Sequence, residues 1–465
     1  MPSDVVDTVY GPLPAGLSCA PLATLCERDG VQTGPFGSQL HQDDYVSHGT
    51  PIITVEHLAE NRIAHRNLSR VSEEDRLRLT KYILRPGDIV FSRVGSVDRR
   101  ALVGPAEDGW LFSGRCLRVR ARRGLLDSAW LSYYFGLPSF KEYVRGIAVG
   151  ATMPSINTKI LSDVPIYFPP FPVQVQAAGV LTVMDDRIDL LRQTNATLES
   201  IAQALFKSWF IDFDPVRAKA EGREPDGMNA ATAALFPSDF DASALGVIPK
   251  GWRAGSLAML CSDGLGFIQT GPFGSQLHAS DYESEGVPVV MPQDLEGRRI
   301  ATDRVARVSD ENVERLSRHK LMVGDVVFSR RGDVGRHAAV TAEEVGWLCG
   351  TGCLLVRPGP AWPSPAFVSQ ALATSSATDW LKRHAVGATM PNLNTGILGA
   401  LPLLLPSYPV LAAFEAVVGA LETRITANRA QAAQLAAIRD TLLPRLITGK
   451  LRLPEAQEQI DEVCA

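Results

Sequence analysis

The sequence lacks the features that mark several large classes of protein. No apolar run approaches the roughly 20 residues that a membrane span needs. The start, Met1-Pro2-Ser3-Asp4, has neither the basic nor the apolar region of a signal peptide, so the cytoplasm is the expected location. Seven cysteines are an odd number scattered along a long chain, which favours reduced thiols over a disulfide framework. Cys349 and Cys353 have no further partner at zinc-like spacing, so no metal site is predicted.

Signatures of catalysis are equally scarce. Thr448-Gly449-Lys450 lacks the upstream glycine of a phosphate loop and is followed by Leu451. Gly264-x-Gly266 is not completed into a dinucleotide fingerprint, and Phe168-Pro169-Pro170-Phe171 lacks the polar residue of the amino-methyltransferase tetrad. No catalytic residue is therefore predicted, and no motif marks a Ser/His/Asp arrangement.

What the sequence does have is a repeat. Gln32-Thr33-Gly34-Pro35-Phe36-Gly37-Ser38-Gln39-Leu40-His41 recurs unchanged from Gln269 to His278, at an offset of 237 residues (269 against 32). The same offset relates further matches: Asp44-Tyr45 with Asp281-Tyr282, Gly87-Asp88 with Gly324-Asp325, Phe91-Ser92-Arg93 with Phe328-Ser329-Arg330, and Val149 to Pro154 with Val386 to Pro391. The molecule is two versions of one unit, so its function must require two.

Each version ends in a predicted long helix. Apolar residues alternate spacings of three and four, which is typical of a coiled-coil seam. The first seam is Leu181, Met184, Ile188, Leu191, Asn195, Leu198, Ala202, Leu205 and Trp209. The second is Val418, Leu421, Ile425, Asn428, Ala432, Leu435, Arg439 and Leu442, with Pro444 expected to stop or kink the helix. The lone Asn in each seam either fixes the register of helix pairing or is simply tolerated at an end of the seam that water reaches, which is the wet-end alternative.

The predicted fold class is α+β: two similar mixed α/β domains, and two long helices that pair as an antiparallel coiled coil with an internal pseudo-two-fold repeat. The first domain should contain strands at Pro51–Val55, Asp88–Phe91 and Leu117–Arg120, and helical turns from Ala129 to Arg145 broken at Pro138. Pro165 to Pro172 is expected to be a stiff extended connector. The predicted segments are the first domain at 1–172, the central helix at 173–215, a polar linker at 216–247, the second domain at 248–406, the distal helix at 407–451 and a tail at 452–465.

The charge is unevenly distributed. The whole chain carries −5, yet residues 61–123 hold 15 Lys and Arg against 7 Asp and Glu, and residues 297–357 hold 11 against 8. A segregated basic face can bind phosphate on an acidic chain, whereas the plainer reading is a solvated arginine-rich surface.

Three repeated loops are the candidate binding elements. The first is a glycine-rich turn whose free backbone N–H groups would suit a phosphate, unless Phe36 simply plugs the core. Its predicted contact residues are Gly34, Phe36, Gly37, Ser38, Gln39, Gly271, Phe273, Gly274, Ser275 and Gln276.

The second loop follows a strand and is rich in arginine. Arg93 matches Arg330 and Arg99 matches Arg336, while several residues between them differ. Matched residues should serve folding or phosphate contact, and mismatched ones can read different bases, with surface salt bridges as the alternative. The predicted contact residues are Arg93, Ser96, Arg99, Arg100, Arg330, Arg331, Asp333 and Arg336.

The third loop is the turn Gly-Ala-Thr-Met-Pro, followed by an Asn. Thr152 and Asn157, with their counterparts Thr389 and Asn394, either touch DNA or cap the segment that follows.

These repeated motifs resemble the specificity subunit of type I restriction-modification systems. The resemblance includes the ends of both long helices, Phe206 to Pro215 and Leu442 to Leu451, and covers nearly the whole chain. It implies two target-recognition domains, each reading one half of a split sequence in double-stranded DNA, held at a spacing set by the helices. The rival interpretations are a self-contained DNA enzyme with a degenerate site and a scaffold that binds no nucleic acid.

The resemblance also implies partners. Two methyltransferase (modification) subunits would dock on the helices, at Phe206, Trp209, Phe210, Phe213, Leu443 and Arg445. S-adenosylmethionine, ATP and Mg²⁺ would be bound by partner subunits, including a possible restriction subunit, and none by this chain. The resemblance thus implies that this chain is not itself an enzyme.

Overall fold

The computed structural model describes residues 5–35, 39–301, 305–387 and 390–451. The chain divides into two compact units, each discontinuous in sequence. Unit 1 comprises residues 1–190 and 431–465, and unit 2 comprises residues 191–430. Each unit thus contains one domain together with part of both long helices.

Two four-stranded sheets form the domain of unit 1. One is antiparallel, in the order Cys26–Thr33, Cys116–Ala121, Ile89–Ser92, Arg100–Leu102. The other has the order Leu111–Phe112, Thr50–Ile53, Ser69–Val71, Tyr45–Val46, with its first pair parallel. The remaining strands are Val5–Thr8, Gly11–Pro14, Ser18–Pro21 and Pro165–Phe168, and the shorter α-helices are Leu22–Leu25, Glu73–Arg78, Ser128–Gly136, Pro138–Ile147 and Thr158–Ser162.

Unit 2 repeats this plan. Its antiparallel sheet has the order Phe267–Thr270, Cys353–Arg357, Val326–Ser329, His337–Ala339, and its mixed sheet Tyr282–Glu283, Ala306–Val308, Val287–Val290, Leu348–Cys349. The remaining strands are Phe240–Ser243, Gly246–Pro249, Arg253–Ser256, Leu295–Glu296, Arg299–Ile300 and Pro402–Leu405. The shorter α-helices are Asp214–Ala220, Ala230–Ala234, Leu257–Asp263, Asp310–Arg315, Pro365–Leu372, Ser375–His384 and Thr395–Gly399.

One buried ion pair explains the repeated Gly-Asp. Asp88, 1% exposed, accepts two hydrogen bonds from Arg120 at 2.6 and 2.7 Å. In unit 2, Asp325 accepts two from Arg357, at 2.8 and 2.6 Å. A bidentate pair of this kind fixes the geometry of both groups, so this matched motif is part of the fold.

The two long helices are the central helix, Phe171–Phe210, and the distal helix, Tyr408–Ile447. Within unit 2, Asn195 and Asn428 are 6% and 2% exposed, and Asn428 Nδ2 donates to Asn195 Oδ1 at 2.9 Å. Asn195 Nδ2 donates in turn to Ile425 O at 3.2 Å. The two amides are buried and paired with each other, so the wet-end alternative is wrong, and the register role stays a prediction.

Unit 1 holds its helix segments by different chemistry. Asp185 accepts from Arg439 Nη1 and from the hydroxyl of Tyr133, each at 2.6 Å. The matching carboxylate in unit 2 is Glu422, which Gln370 approaches at 3.5 Å. The counterpart of Arg439 there is Ala202, so the two repeats do not share this cation.

Three details of the sequence prediction are wrong. Pro165–Phe168 is a strand paired with Ser18–Pro21, because edge strands tolerate proline, and the central helix starts within the expected connector. The linker is folded: its helices and the hairpin 240–249 bring Phe236, 2% exposed, into the core of unit 2. Pro444 does not stop the distal helix, which continues to Ile447, because a proline in the last turn removes only one helical hydrogen bond.

Among the described residues, neither long helix nor any shorter one combines the length and hydropathy that crossing a bilayer requires.

Candidate nucleic-acid interface

The three repeated loops meet at one edge of the domain in each unit. In unit 1, Gly34 N donates to Cys116 O at 3.2 Å, and Arg93 N donates to Arg115 O at 2.9 Å, so the first two loops flank the turn 113–116. Gly95 N donates to Pro154 O at 2.9 Å, which joins the second loop to the third. Residues that are distant in sequence therefore form one continuous surface.

Unit 2 has the same arrangement. Gly271 N donates to Cys353 O at 2.9 Å, and Gly332 N donates to Pro391 O at 3.0 Å. The guanidinium of Arg330 lies over the ring of Phe273, 5.8 Å from its centroid, which connects the first two loops directly.

Glycine is required at the start of the first loop because another backbone lies against it. A Cβ on Gly34 would lie 2.2 Å from Ser113 O, and one on Gly271 would lie 2.0 Å from Gly350 O. The prediction of free N–H groups is wrong for both glycines, since each donates within its own domain. Phe273 is 53% exposed, so the core-plug alternative does not hold for the second copy.

The other residues of the first loop differ in role. Gln39 accepts from the Tyr82 hydroxyl at 2.6 Å, and Gln276 accepts from Phe273 N at 3.2 Å, so both side chains brace the fold. Gly274 and Ser275 are exposed. The predicted contacts Phe36, Gly37 and Ser38, like Thr389 of the third loop, lie outside the described residues.

Several arginines of the second loop have structural roles. Arg99 donates to Leu58 O, and its match Arg336 donates to Leu295 O at 2.7 Å from Nε. Arg100, 2% exposed, donates to Ser132 O at 2.8 Å and to Glu60 at 2.8 Å.

Arg100 is buried and therefore cannot contact a ligand, so its assignment to the interface is wrong. The signal for a structural role at Arg99 and Arg336 was their identity in both repeats. What remains exposed at the tips is Ser96 in unit 1, and Arg331 and Asp333 in unit 2.

The third loop contains two helix caps. Asn157 accepts from Ile160 N and Asn394 accepts from Ile397 N, both at 2.8 Å, so the capping alternative is what the structure has. Thr152, in the third loop of unit 1, is exposed.

A basic groove, missed in the sequence analysis, lies next to these loops in unit 1. It has a volume of about 720 Å³ and is lined by Gln32, Thr33, Thr158, Lys81, Arg85, Arg118 and Arg120 among others. Burial lowers the pKa of Arg118 to about 10, and the neighbouring Arg120 contributes in the same direction. The positions in unit 2 that match Arg85 and Arg118 are Met322 and Leu355, so the second copy is less basic. Arg118 is 4% exposed and Arg120 is paired with Asp88, so the exposed Lys81 and Arg85 are the cations of this groove that suit phosphate groups.

The predicted partner-docking aromatics are largely internal. Phe206, Trp209 and Phe210 are 6%, 6% and 5% exposed and belong to the core of unit 2. Phe210 packs on Phe414 and Phe367 with ring centroids 4.9 Å apart in each case. Their assignment as docking residues is corrected to a core role.

The other three docking candidates are not fully buried. Phe213, Leu443 and Arg445 are each partly exposed and remain predictions.

Cys349 and Cys353, 0% and 1% exposed, are core thiols, and Cys353 Sγ donates to Val290 O at 3.4 Å.

Comparison with known proteins finds similarity to one family. The model of the type I restriction modification DNA specificity domain matches residues 36–200. The type I restriction enzyme HindI specificity subunit of Haemophilus influenzae is 26% identical over 434 residues, covering 84% of this chain and 92% of that protein. The MjaIX specificity subunit of Methanocaldococcus jannaschii is 24% identical over 332 residues, covering 70% of each chain.

A solved structure has the same fold. The S subunit of a type I restriction-modification system from M. genitalium superposes with a TM-score of 0.60 at 15% identity, covering 93% of this chain and 96% of that one. The family model and these relatives agree: residues 36–200 match the type I restriction modification DNA specificity domain, and the chain is similar over most of its length to specificity subunits of type I restriction enzymes.

Proposed function

We propose that each domain reads one half of a bipartite, asymmetric target in double-stranded DNA through the edge formed by its three loops. The observation that carries the proposal is a matched framework with unmatched exposed tips. Arg99 and Arg336 anchor the second loop in the same way in both units, yet Ser96 is exposed in one and Arg331 and Asp333 in the other. Two like frames with unlike tips favour two unlike half-sites.

The chemistry of the tips supports base reading in unit 2. Arginine pairs with the O6 and N7 of guanine, and aspartate accepts from the N4 amino group of cytosine. The basic groove of unit 1 supports phosphate contact, which positions a protein on DNA without reading its sequence.

The long helices would set the distance between half-sites and dock two methyltransferase subunits. Partly exposed Phe213, Leu443 and Arg445 remain the candidate docking residues. S-adenosylmethionine, and ATP with Mg²⁺ where a restriction subunit takes part, would bind those partners. The complex would act in the cytoplasm, and this chain would contribute recognition only.

Mapping modified adenines in DNA from cells that express the chain with its methyltransferase partner tests base reading. The variant Arg331→Val with Asp333→Ser gives unit 2 the side chains that unit 1 has at positions 94 and 96. It should change one half-site and preserve the other. The reciprocal variant, Val94→Arg with Ser96→Asp, is the matched control and should change the opposite half. Unchanged methylation at both halves would contradict the placement of the readers.

Phosphate contact has its own test. Replacing Arg85 with methionine, its counterpart in unit 2, should weaken DNA binding regardless of sequence and reduce the slope of log K against log salt by about 1. A salt dependence identical to that of the original chain would remove the groove from the interface.

A further inference from the structure

An exposed pair of apolar side chains projects from the third loop in both units. Val149 and Met153 are 63% and 64% exposed in unit 1, and Val386 and Met390 are 64% and 63% exposed in unit 2. Large apolar side chains gain free energy when covered, so near-identical exposure at matched positions calls for a common ligand.

The backbone holds each pair in a closed turn. Val149 N donates to Ser155 O and Ser155 N to Val149 O, both at 2.9 Å. Gly150 has a φ of +108°, and a Cβ there would lie 2.8 Å from Met153 O, so the turn needs glycine at this position. In unit 2, Gly387 has a φ of +109° and the same close approach to Met390 O. We name the Val–Met turns by their described residues, which are Val149–Ser155 in unit 1, and Val386, Gly387, Met390, Pro391 and Asn392 in unit 2.

Each Val–Met turn is fixed to the base-reading loop. Ile156 N donates to Arg93 O at 2.9 Å, and in unit 2 Leu393 N donates to Arg330 O at 2.8 Å. A duplex that meets Ser96 or Arg331 as the proposed function requires would therefore lie directly beside the apolar pair.

Charge complementarity favours nucleic acid over a protein as the covering ligand. Around the first turn, Arg115 and Lys159 are exposed and Arg93 is partly exposed, and at the second Arg331 is exposed. The cores of protein interfaces are depleted of charged residues, whereas an apolar side chain flanked by cations is how minor-groove proteins place a wedge between base pairs.

The identity of the pairs separates their role from sequence reading. The tips differ between the units, but Val and Met are the same in both. A task common to two different half-sites is to open the base stack, which enzymes that modify bases require for access to their target. We propose that Val149–Met153 and Val386–Met390 act as apolar wedges that unstack one base step at each half-site. The inference rests on the proposed function and adds DNA distortion to it.

Fluorescence of 2-aminopurine tests the wedge, because the emission of this adenine analogue rises when it leaves the stack. The full chain, assembled with its methyltransferase subunits, is bound to duplexes carrying its mapped target, with the probe placed in turn at each step of one half-site. Met153→Ser should remove at least half of the enhancement at the half-site of unit 1 and none at the other. Met390→Ser should do the reverse, and Met153→Leu should retain the signal.

Binding affinity gives a second readout. Loss of one apolar contact should weaken DNA binding by about tenfold. Leu77→Ser is the matched control, because Leu77 is 63% exposed in unit 1 but lies outside the turn, and it should change neither fluorescence nor affinity.

The outcomes separate the two proposals. If the exchange of residues 331 and 333 changes a half-site while Met153→Ser leaves every probe as bright as before, the wedge is overturned and base reading survives. If Met153→Ser releases a methyltransferase subunit and leaves the affinity of this chain for DNA unaltered, the turn docks protein and the wedge is again overturned. If neither exchange changes a half-site, the proposed function itself fails.

Discussion

The buried amide pair gives the sharpest quantitative prediction. Asn195→Ala removes the acceptor of Asn428 Nδ2 at 2.9 Å and the donor to Ile425 O at 3.2 Å. Both amides are nearly fully buried, so Asn428 would keep a donor that water cannot reach. Leaving a buried polar group unpaired costs about 1–3 kcal/mol, which is the expected loss in the free energy of unfolding.

Replacing both partners has a different effect. The double variant Asn195→Leu with Asn428→Leu removes both polar groups and fills the seam, so it should be close to the original chain in stability, or above it. The two single leucine variants should each be less stable than the double, with a coupling energy of about 1–3 kcal/mol between the sites.

Urea unfolding of the four proteins, followed by circular dichroism at 222 nm, measures this cycle. The register role predicts a further result: the stable double variant should recognise its mapped target poorly, because an all-apolar seam permits alternative registers. Additive losses in the cycle would refute the coupling. A double variant that methylates the same target at the original rate would refute the register role.

Three further predictions concern charge. Arg439→Ala should cost about 3 kcal/mol in urea unfolding, because Asp185 is 10% exposed and would lose its cation; recovery in Asp185→Asn with Arg439→Met would support the pair, and full stability of the single variant would contradict it. Burial, with the nearby Glu415 adding to it, raises the pKa of Glu422 above its usual 4.5. The native state therefore favours the protonated carboxyl, and it loses stability as the pH rises above 4.5. Glu422→Gln should therefore raise Tm more at pH 8 than at pH 4, and an equal rise would contradict this. Burial, followed by Arg318, lowers the pKa of His319 from 6.5 to about 4, so its contribution is present above pH 6.5 and lost as pH falls through 4, by at most about 3 kcal/mol. His319→Tyr, the residue of the first repeat, should flatten this acid limb of a thermal-unfolding series, and an unchanged limb would count against His319.

Local sequence patterns predicted the framework well. Hydrophobic periodicity and the positions of Gly and Pro predicted several elements, because these elements depend on residues close in sequence. They are the break at Pro138, the strands around Phe91 and Val119, and both long helices. The internal repeat added the strongest constraint, since two copies of one pattern must fold alike.

The candidate site was less predictable, because burial depends on partners distant in sequence. Arg100 resembles an exposed loop arginine until Glu60 and Ser132 are seen to enclose it, and Trp209 resembles a docking aromatic until the core of unit 2 surrounds it. Conversely, the sequence placed Met153 in a repeated turn without indicating that its side chain is exposed, and only the structure shows this. The polar composition around Phe236 likewise suggested a linker. Composition does not reveal that this one ring is buried and anchors the polar segment to the core.

The two seam asparagines also favour pairing of the two unlike repeats over pairing of two identical repeats. By the repeat offset, the counterpart of Asn195 is Ala432 and that of Asn428 is Leu191. If two copies of the same half met in the geometry seen here, each seam amide would face an aliphatic side chain and lose the amide–amide hydrogen bond, twice per dimer. Joining unlike halves satisfies both amides at once. Symmetric assembly is therefore disfavoured, which under the proposed function would keep two different readers, and so a directional target, in one molecule.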